Sequence, residues 1–414
     1  MFPSWAVKCF LSKGYIVHGT VRDPKVEGNW KLSCEKLQNV GAALLMYQAV
    51  GYNRLELSPT HSSHVILISE GPLRDSISYV REDLGIFLYR TGKLRVEEME
   101  KRVCVTGAGG YLASWVVKYL LSKGYIVHGT VRDPNDEKYA HLKNLENAME
   151  NLHLFKADLL DYDSLCASMA GCRGVLHVAS PVPSGAVINP KVELLEPALT
   201  GTSNVLKACT EAKVKRVVVV SSVSAVIWNP NWPKDQPMDE SCWSDKEYCR
   251  SGEDWYSFSK TEAESAAWEY AKKNGLDVVT VCPSLIFGPL LQSTMNASSS
   301  VLVKILKDGV EEIDNNERRI VDVRDVAEAV LLAYEKPEAE GRYLCSAYTV
   351  NTQELIEKLK TMYPDYSYPK KIAEVKELPQ ISCEKLQKLG WKCITLEESL
   401  ADSVKCYQEM GILD

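Results

Sequence analysis

A tyrosine and a lysine four residues apart, Tyr256 and Lys260, have the residue types and the spacing needed to transfer a proton. On a helix this spacing places both side chains on one face, where the ammonium is expected to lower the pKa of the phenol toward working pH. Ser222 lies upstream, just after the apolar run Val217 to Val220. Its hydroxyl could hydrogen-bond the same carbonyl oxygen that the phenol protonates. These three residues predict the reduction of a carbonyl group, and Lys260 could also hold a nicotinamide ribose.

The spacing alone is a weak signal, because it occurs elsewhere in the chain, for example at Tyr119/Lys123 and at Tyr366/Lys370. The first of these pairs lies on a predicted helix after a glycine-rich turn, and the second lies in the proline-bracketed loop PDYSYPKK. Of the three tyrosines, Tyr256 is the one that begins a predicted helix after the fifth predicted strand. A surface pair without a catalytic role is the alternative. The sequence contains neither GxSxG nor HExxH, and its 7 histidines are dispersed, so we predict no serine hydrolase and no metal site.

The glycine-rich turn TGAGGYLA, from Thr106 to Ala113, joins a predicted strand to a predicted helix. Glycines at such a turn let the backbone approach a pyrophosphate, and the helix N terminus supplies aligned N–H donors. A glycine string by itself is often only a turn. Its position after the first strand of a β-α-β unit predicts a dinucleotide-binding site.

The end of the second predicted strand distinguishes NAD from NADP. A carboxylate there bonds the ribose 2′-hydroxyl of NAD, whereas an arginine accommodates the 2′-phosphate of NADP. Arg132 comes first at this position and Lys138 follows it, which predicts NADP; an arginine that merely faces solvent is the alternative. Asp133 precedes a proline and is more typical of a turn. Asp158, at the end of the third predicted strand, suits a hydrogen bond to the adenine amine, or else a helix cap.

Short β-branched runs alternate with helical stretches from Lys101 onward, which predicts an α/β fold with a Rossmann-type doubly wound parallel sheet. The predicted strands are KRVCVTG, YIVHGTV, LHLFKAD, GVLHVAS, VKRVVVVSS and DVVTVCPS. Ligands are expected at their carboxyl ends. After Pro283 the alternation weakens, and the predicted elements are a helix near 326–334, the strand RYLCS, and helices near 353–362 and 396–410. This part is predicted to be a smaller C-terminal substrate-binding lobe.

Two pieces of this later region recur near the N terminus. Ser4 to Pro24 returns almost unchanged at Ser114 to Pro134, and SCEKLQNVG, which begins at Ser33, returns as SCEKLQKLG, which begins at Ser382. Two distant copies do not make a solenoid, which needs several stacked short repeats. The N-terminal copy lacks the first strand and the glycine turn, so it cannot form a phosphate site alone. We interpret it as a truncated duplicate.

The predicted organisation therefore has three regions. Residues 1–98 are a truncated partial duplicate with an unpatterned extension and no function of their own, with a docked accessory domain as the alternative. Residues 99–285 are an NADP-binding Rossmann domain. Residues 286–414 are mainly a substrate-binding lobe, interleaved with the Rossmann domain.

The composition is that of an ordinary globular protein, with 45% hydrophobic and 25% charged residues. A net charge of -7 gives no general attraction to nucleic acid or to an anionic membrane. No apolar run reaches the roughly 20 residues that span a bilayer, and no signal-peptide pattern begins the sequence. The 13 cysteines contain no CxxC pair, as expected in a reducing compartment. We expect a cytoplasmic monomer or weak homodimer that binds a small molecule and neither nucleic acid nor membrane.

A set of longer motifs narrows the family. These motifs are VTGAGGYLASW, GTVRDPNDEK, KADLLDY, GTSNVLKAC, DESCWSD, DWYSFSK, PSLIFGPLLQSTMNAS, VDVRDVAEA and GRYLCS. With them, nearly all of residues 99–414 resembles the extended short-chain dehydrogenase/reductases of plants, especially the cinnamoyl-CoA reductase and dihydroflavonol 4-reductase group. That group belongs to the NAD-dependent epimerase/dehydratase superfamily.

The resemblance implies NADP as cofactor (NADPH in its reduced form), and Ser222, Tyr256 and Lys260 as the catalytic residues. It also implies cofactor contacts in later loops, which the spacing of residues does not predict. The implied cofactor contacts are Gly107, Ala108, Gly109, Gly110, Tyr111, Leu112, Ala113, Arg132, Lys138, Asp158, Leu159, Val178, Ala179, Ser180, Tyr256, Lys260, Pro283, Ser284, Leu285, Ile286 and Ser298.

The chain departs from this family around the catalytic tyrosine, where cinnamoyl-CoA reductases carry NWYCYGK. The residues at the altered positions are Asp254, Ser257, Phe258 and Ser259. With Ser257 in place of a cysteine, Cys249 lacks the partner with which the family pattern could form a disulfide. Val301 stands where the resemblance places a histidine that accompanies CoA recognition, whereas Lys304 matches. The resemblance implies that these changes lie in the substrate pocket and leave the hydride-transfer residues untouched.

We therefore predict an NADPH-dependent reductase of a phenylpropanoid-like carbonyl, which is a hydroxycinnamoyl-CoA thioester, an aldehyde or a ketone. A nucleotide-sugar epimerase or dehydratase on the same fold is one alternative, but it would favour an acid where Arg132 stands. A catalytically silent NADP-sensing protein is another alternative. The presence of both Tyr256 and Lys260 argues against it.

Overall fold

The computed structural model describes three short N-terminal strands and most of the chain from Lys101 onward. The described ranges are 101–182, 188–307, 312–313, 315, 317–369, 371–372 and 379–414. The chain divides into two compact units, Met1–Val96 and Glu97–Asp414. In the first unit, His18–Gly19, Lys31–Ser33 and Glu56–Leu57 form one sheet. Apart from these strands, the predicted truncated duplicate lies outside the described residues.

The second unit is built around parallel strands. In chain order its strands are β1 (Arg102–Thr106), β2 (Ile126–Val131), β3 (Leu152–Lys156), β4 (Gly174–His177), β5 (Arg216–Val220), β6 (Val278–Pro283), β7 (Leu285–Phe287), β8 (Glu312–Ile313), β9 (Glu317–Asp322), β10 (Gly341–Cys345), β11 (Tyr348–Asn351) and β12 (Lys371–Ile372).

Helices connect these strands. In chain order they are α1 (Tyr111–Ser122), α2 (Ala140–Lys143), α3 (Ala148–Asn151), α4 (Tyr162–Met169), α5 (Glu196–Glu211), α6 (Lys246–Ser251), α7 (Trp255–Asn274), α8 (Ala297–Lys307), α9 (Val323–Glu335), α10 (Thr352–Met362), α11 (Glu384–Lys388) and α12 (Leu396–Glu409). Short 3-10 turns occur at Glu137–Tyr139 and Val223–Ala225, and a π-helical turn at Lys191–Leu195 precedes α5. Within the described ranges, no helix has the length and apolarity required to cross a membrane.

The main sheet has seven strands in the order β10-β6-β5-β4-β1-β2-β3, and every neighbouring pair is parallel. The chain reverses direction across the sheet between β1 and β4, which is the point where open α/β sheets bind ligands. The predicted doubly wound α/β fold is therefore confirmed. The strand RYLCS, which the sequence grouped with the C-terminal lobe, is β10 and lies beside β6 in the main sheet.

The strands are continuously apolar because helices cover both faces of the sheet. All residues of β4 and β6 are buried, whereas the edge strand β3 is only partly covered. One core cluster packs α1 and α9 against the sheet, and a second packs α4, α5 and α7 against its other face. The sheet is thereby held rigid beneath its carboxyl edge.

A smaller group of elements follows β6. Strand β9 pairs with β7 in parallel and with β11 in antiparallel orientation, and β8 pairs with β12. The C-terminal segment is tied to α9 by Trp391, whose indole N–H donates to the carbonyl of Asp325 at 2.8 Å. These contacts anchor the loop before α8 and α8 itself, which border the site described below.

Gly129 on β2 lies where the sheet meets the glycine-rich turn. A Cβ added there would lie 2.9 Å from Cβ of Ala108 and 3.1 Å from Cδ2 of Leu154. We expect Gly129→Ala to lower the free energy of unfolding by about 1–3 kcal/mol, because overpacking forces such neighbours apart. Urea denaturation of the full chain measures this. Gly252→Ala, whose Cβ would meet no described atom closer than 3.4 Å, is the control; equal losses in both variants would contradict the explanation.

Candidate active site

A cleft of about 830 Å³ opens at the carboxyl edge of the main sheet. Its walls come from the glycine-rich turn, the ends of several strands, the start of α7 and the loop leading into α8. The predicted site residues that line it are Gly107, Gly109, Gly110, Tyr111, Leu112, Ala113, Arg132, Lys138, Asp158, Leu159, Val178, Ala179, Ser180, Ser222, Tyr256, Lys260, Pro283, Ser284, Ile286 and Ser298. Ala108 is fully buried behind the turn, and Leu285 lies outside the lining.

The glycine-rich turn leaves backbone groups open to the cleft. Gly107 adopts a left-handed conformation, with φ of 65°, and a Cβ there would lie 2.9 Å from Cβ of Ala179. A Cβ on Gly109 would lie 2.2 Å from the ring of Tyr139. Gly110 is the N-cap of α1, and no described side chain caps this helix. The first-turn N–H groups of α1 are therefore available to an anion, as a pyrophosphate site requires.

Two cations stand at one end of the cleft. Arg132 and Lys138 are both exposed, and Arg132 has no carboxylate partner among the described residues. Lys138 pairs with Asp136 at 2.5 Å, and its ammonium lies 4.9 Å from the centre of the Tyr139 ring. A guanidinium without a carboxylate partner and an ammonium that line the same cleft are the groups expected to hold a ribose 2′-phosphate.

The two neighbouring aspartates have distinct local roles. Asp133 accepts a hydrogen bond from the backbone N–H of Asn135 at 3.0 Å, which confirms it as a turn residue. Asp158 lines the cleft, and its Oδ1 accepts from the backbone N–H of Leu160 at 2.9 Å. The N-cap of α4 is instead Asp161. The helix-cap alternative for Asp158 is therefore wrong.

The catalytic candidates meet in the same cleft. Tyr256 and Lys260 lie one turn apart at the start of α7, with the ammonium 5.9 Å from the centre of the phenol ring. The Lys260 ammonium donates to the hydroxyl of Ser180, which follows β4, at 2.9 Å. Ser222 follows β5 as the N-cap of a 3-10 turn, and its Oγ accepts from the backbone N–H of Ser224 at 3.1 Å. The Ser222 hydroxyl hydrogen is thus left to donate elsewhere.

Burial controls the ionisation of these groups. It raises the pKa of Tyr256; Asp254 raises that pKa further, and the Ser222 hydroxyl opposes the rise. The expected net shift of this pKa toward working pH is wrong, because desolvation of the phenolate outweighs the effects that lower the pKa. Burial also lowers the pKa of Lys260 to about 8, against the opposing effects of Cys282 and Glu264. Tyr256 is consequently a protonated phenol at neutral pH and can act as a proton donor.

The departures from the cinnamoyl-CoA reductase motif do not line the cleft, contrary to what the resemblance implied. Asp254 is the N-cap of α7, and Ser257 donates its hydroxyl to that carboxylate at 2.6 Å. Ser259 donates to the carbonyl of Tyr256 at 2.9 Å. Phe258 packs edge-on against the ring of Trp255, at 6.1 Å between ring centres. These side chains cap the first turn of α7 or pack against it, and they do not line the cleft.

Two further departures are also structural. Val301, on α8, packs against the main core cluster. Cys249 is buried and carries a free thiol, whose pKa burial raises to about 11. A buried, protonated thiol is poorly reactive. The absence of a cysteine at position 257 therefore leaves Cys249 as a small apolar core residue.

The sequence pattern did not identify several residues whose hydrogen bonds support the walls of the cleft. Thr106 Oγ1 accepts from the backbone N–H groups of Val178 and Ala179, both at 3.1 Å, and lies 2.9 Å from Nδ1 of His177. Burial lowers the pKa of His177 to about 3, so this imidazole is neutral. Thr130 accepts from the backbone N–H of Gly107 at 3.0 Å. A threonine that ends an apolar strand was the available signal.

No group of three or more His, Cys, Asp or Glu side chains within the described ranges is arranged to hold a metal ion. The polar groups of the lining are instead backbone N–H groups, serine and threonine hydroxyls, the phenols of three tyrosines, three cations and the carboxylates of Asp158 and Glu193. These groups suit an anionic dinucleotide and a polar carbonyl oxygen.

Comparison with known proteins agrees with this geometry. The profile of the NAD dependent epimerase/dehydratase family matches residues 103–345. The chain belongs to this family. Cinnamoyl-CoA reductase 1 of Petunia hybrida is 46% identical over 316 residues, which span 75% of this chain and 93% of the relative. The predicted resemblance to the plant reductases of this epimerase/dehydratase family is confirmed.

Solved structures of reductases share the fold. Vestitone reductase from alfalfa (Medicago sativa) superposes with a TM-score of 0.65 at 35% identity, over 75% of this chain and 99% of that one. Yeast methylglyoxal/isovaleraldehyde reductase Gre2, complexed with NADPH, gives a TM-score of 0.66 at 26% identity, over 75% and 100% of the two chains. This member of the epimerase/dehydratase family therefore has the fold of known reductases over its second unit.

The effect of the Asp254 carboxylate on the pKa of Tyr256 can be tested by mutation. Asp254→Asn keeps a good helix N-cap but removes the charge that raises the pKa of Tyr256. The pH at which the phenol loses its proton should fall, so the alkaline limb of the kcat profile should move to lower pH. Asp245→Asn, which alters the equivalent cap of α6, is the control and should leave the profile in place. An unchanged profile in Asp254→Asn would contradict the assigned electrostatic effect.

Proposed function

We propose that this chain is an NADPH-dependent reductase of a phenylpropanoid-like carbonyl compound, with Ser222, Tyr256 and Lys260 as its catalytic residues. One observation carries the proposal: a phenol, an ammonium and a serine hydroxyl converge in the cleft that begins at an uncapped helix N terminus. Relatives named as reductases of cinnamoyl-CoA and of vestitone support the substrate class. The NADPH complex of a neighbouring reductase supports the cofactor.

The cleft fits a phosphorylated dinucleotide. Glycine is required at Gly107 and Gly109 because a Cβ would collide with Ala179 or Tyr139, and the turn that they allow lines the cleft with backbone. The Ser284 hydroxyl is buried at the cleft and has no hydrogen-bond partner among the described residues. A buried hydroxyl of this kind is costly unless a ligand satisfies it. Arg132 and Lys138 are placed to hold the 2′-phosphate that distinguishes NADP.

The catalytic residues act on the carbonyl oxygen. When bound, NADPH supplies a hydride to the carbonyl carbon. Ser222 donates its free hydroxyl hydrogen to the carbonyl oxygen, which stabilises the negative charge that develops there. Tyr256, protonated because burial raises its pKa, transfers its proton to that oxygen. The Lys260 ammonium stabilises the remaining phenolate by Coulomb attraction across the short distance between the two groups.

The substrate side of the cleft is contributed in part by the segment before α8. Met295 in this segment, together with Pro181 and Val182 after β4, gives the cleft apolar walls, which suit the flat hydrocarbon part of a phenylpropanoid. In this proposal residues 286–414 act mainly as a substrate-binding lobe, to which the loop after β4 contributes, and residues 1–98 have no function of their own. The altered positions on α7 lie behind the cleft, so they give no steric reason for the exclusion of a CoA thioester.

Tyr256→Phe tests the proposed chemistry. The variant should lower kcat by about 10²–10⁴-fold, the range typical of a lost proton donor, and change the Kd for NADPH little. The full chain is assayed for NADPH oxidation with cinnamoyl-CoA, cinnamaldehyde and a dihydroflavonol in parallel. Tyr119→Phe, which alters another tyrosine four residues before a lysine, is the matched control. Full activity in Tyr256→Phe would overturn the mechanism, and wild-type binding of NADPH without turnover of any of the three compounds would overturn the function.

Arg132→Ala tests the cofactor preference. Loss of a charge-assisted hydrogen bond to the 2′-phosphate should weaken NADPH binding by roughly 10- to 100-fold and leave NADH binding nearly unchanged. Fluorescence titration with each cofactor measures both dissociation constants. Arg250→Ala removes an exposed guanidinium that pairs with Glu247 outside the cleft, and it serves as the control. Equal losses for the two cofactors would contradict recognition of the phosphate.

A further inference from the structure

A buried carboxylate lies one turn beyond Lys260 on α7. Glu264 is 1% exposed, and hydroxyls from two strands converge on it. Its Oε2 accepts from Ser221 Oγ at 2.6 Å, and its Oε1 accepts from Thr280 Oγ1 at 2.8 Å. Arg342 of β10 completes the set, with Nε donating to Oε1 at 2.8 Å and Nη2 to Oε2 at 3.2 Å. One carboxylate therefore ties the catalytic helix to β5, β6 and β10.

The guanidinium of Arg342 extends this hydrogen-bond network to backbone carbonyls of the chain that follows Ser222. Arg342 is 6% exposed, and its Nη1 donates to the carbonyls of Cys242 at 2.6 Å and Glu240 at 3.0 Å. Its Nη2 also reaches the carbonyl of Ala225 at 3.4 Å, and the guanidinium carbon lies 3.7 Å from the centre of the Trp243 ring. Arg342 thus holds the chain segment that follows Ser222.

Stability alone is a poor explanation for this ion pair. Transfer of two charges into the interior is costly, and apolar residues of similar volume often replace a buried pair without loss of stability. A charged pair that bonds to every element carrying a catalytic side chain can instead fix their mutual geometry. We propose that Glu264 and Arg342 are positioning residues of the reductase, which align Ser222 with Lys260 and keep a negative charge beside the Lys260 ammonium. The inference rests on the proposed function.

The electrostatic half of the proposal follows from the groups that face Lys260. Glu264 and Cys282 favour its charged form, while burial opposes it. Burial raises the pKa of the Cys282 thiol and lowers that of His177 to about 3, so both are neutral near pH 7. The Tyr256 phenol is neutral as well, because its pKa is raised. Among these neighbours, Glu264 is accordingly the group that supplies negative charge, with Arg342 partly offsetting it from the far side.

The decisive experiment separates charge from packing. Glu264→Gln keeps the shape and removes the charge, but it leaves a buried guanidinium without its partner and is expected to be less stable. The double variant Glu264→Gln/Arg342→Met removes both charges and keeps an uncharged, packed interior. Thr280→Val is the matched control, since it deletes one hydrogen bond to the same carboxylate without changing any charge.

The readouts are the pH dependence of NADPH affinity, the pH profile of kcat, and the melting temperature of each full-length variant. The double variant loses the Arg342 hydrogen bonds to the carbonyls of Ala225, Glu240 and Cys242, so it should melt below the wild type but above Glu264→Gln. It should also lose the Lys260 charge at lower pH. At pH 8 its NADPH affinity should then be roughly threefold or more below that of Thr280→Val, with agreement between the two near pH 6. Its kcat should fall about tenfold or more, with a much smaller change in KM, because misaligned groups affect the transition state most.

A folded double variant with wild-type pH dependence and kcat would overturn the inference, whatever its melting temperature, and would show that the pair has only a structural role. Should Glu264→Gln fail to fold, the double variant still decides the question. The binding measurement needs no turnover. If the wild type binds NADPH but reduces no carbonyl compound, the proposed function fails, while the pH dependence of binding still reports whether Glu264 acts on Lys260.

Discussion

The parallel alignment of β1, β4 and β5 is the constraint on which the site depends. Because these neighbouring strands run in one direction, the residues that follow each of them must emerge at one edge of the sheet. The glycine-rich turn, Ser180 and Ser222 each occupy such a position. Helix α7 then needs only to cross this edge for Tyr256 and Lys260 to meet them. The meeting of these side chains in one cleft is thus a direct consequence of strand direction.

Hydrogen bonds among buried polar groups fix the positions of the chain segments at this edge of the sheet. Thr106 and its neutral partner His177 hold the backbone after β4 against the glycine-rich turn. Glu264 and Arg342 hold α7 against the strands on the other side. Polar groups buried in this way are costly unless every one is satisfied, so an alternative arrangement of the edge would leave several of them unpaired. Burial makes unpaired polar groups in these networks costly, and it also determines the direction of the pKa shifts of Tyr256 and Lys260.

Much of this architecture could be predicted from the sequence, because it arises from local patterns. Apolar runs gave the strands of the main sheet, and the position of TGAGGYLA after the first run located the cofactor turn. The rest depends on contacts between residues far apart in the chain. Arg342 bonds to Glu264 although the two residues are 78 positions apart in the chain, and no sequence spacing predicts this pair. The direction of the Tyr256 pKa shift was likewise wrong in the sequence analysis, since an i, i+4 lysine is visible in the sequence but the degree of burial is not.

The departures from the cinnamoyl-CoA reductase motif around Tyr256 are a second case in which the sequence did not predict where side chains lie. In the sequence they stand beside Tyr256 and were therefore assigned to the substrate pocket. On a helix, however, adjacent residues point in different directions, and positions 257 to 259 face the interior or the helix cap while Tyr256 faces the cleft. The hydrogen bond between Ser257 and Asp254 belongs to the N-cap of α7, and neither side chain lines the cleft. Divergence at these positions consequently acts on the cap and the packing of the first turn of α7, not on the side chains that line the cleft.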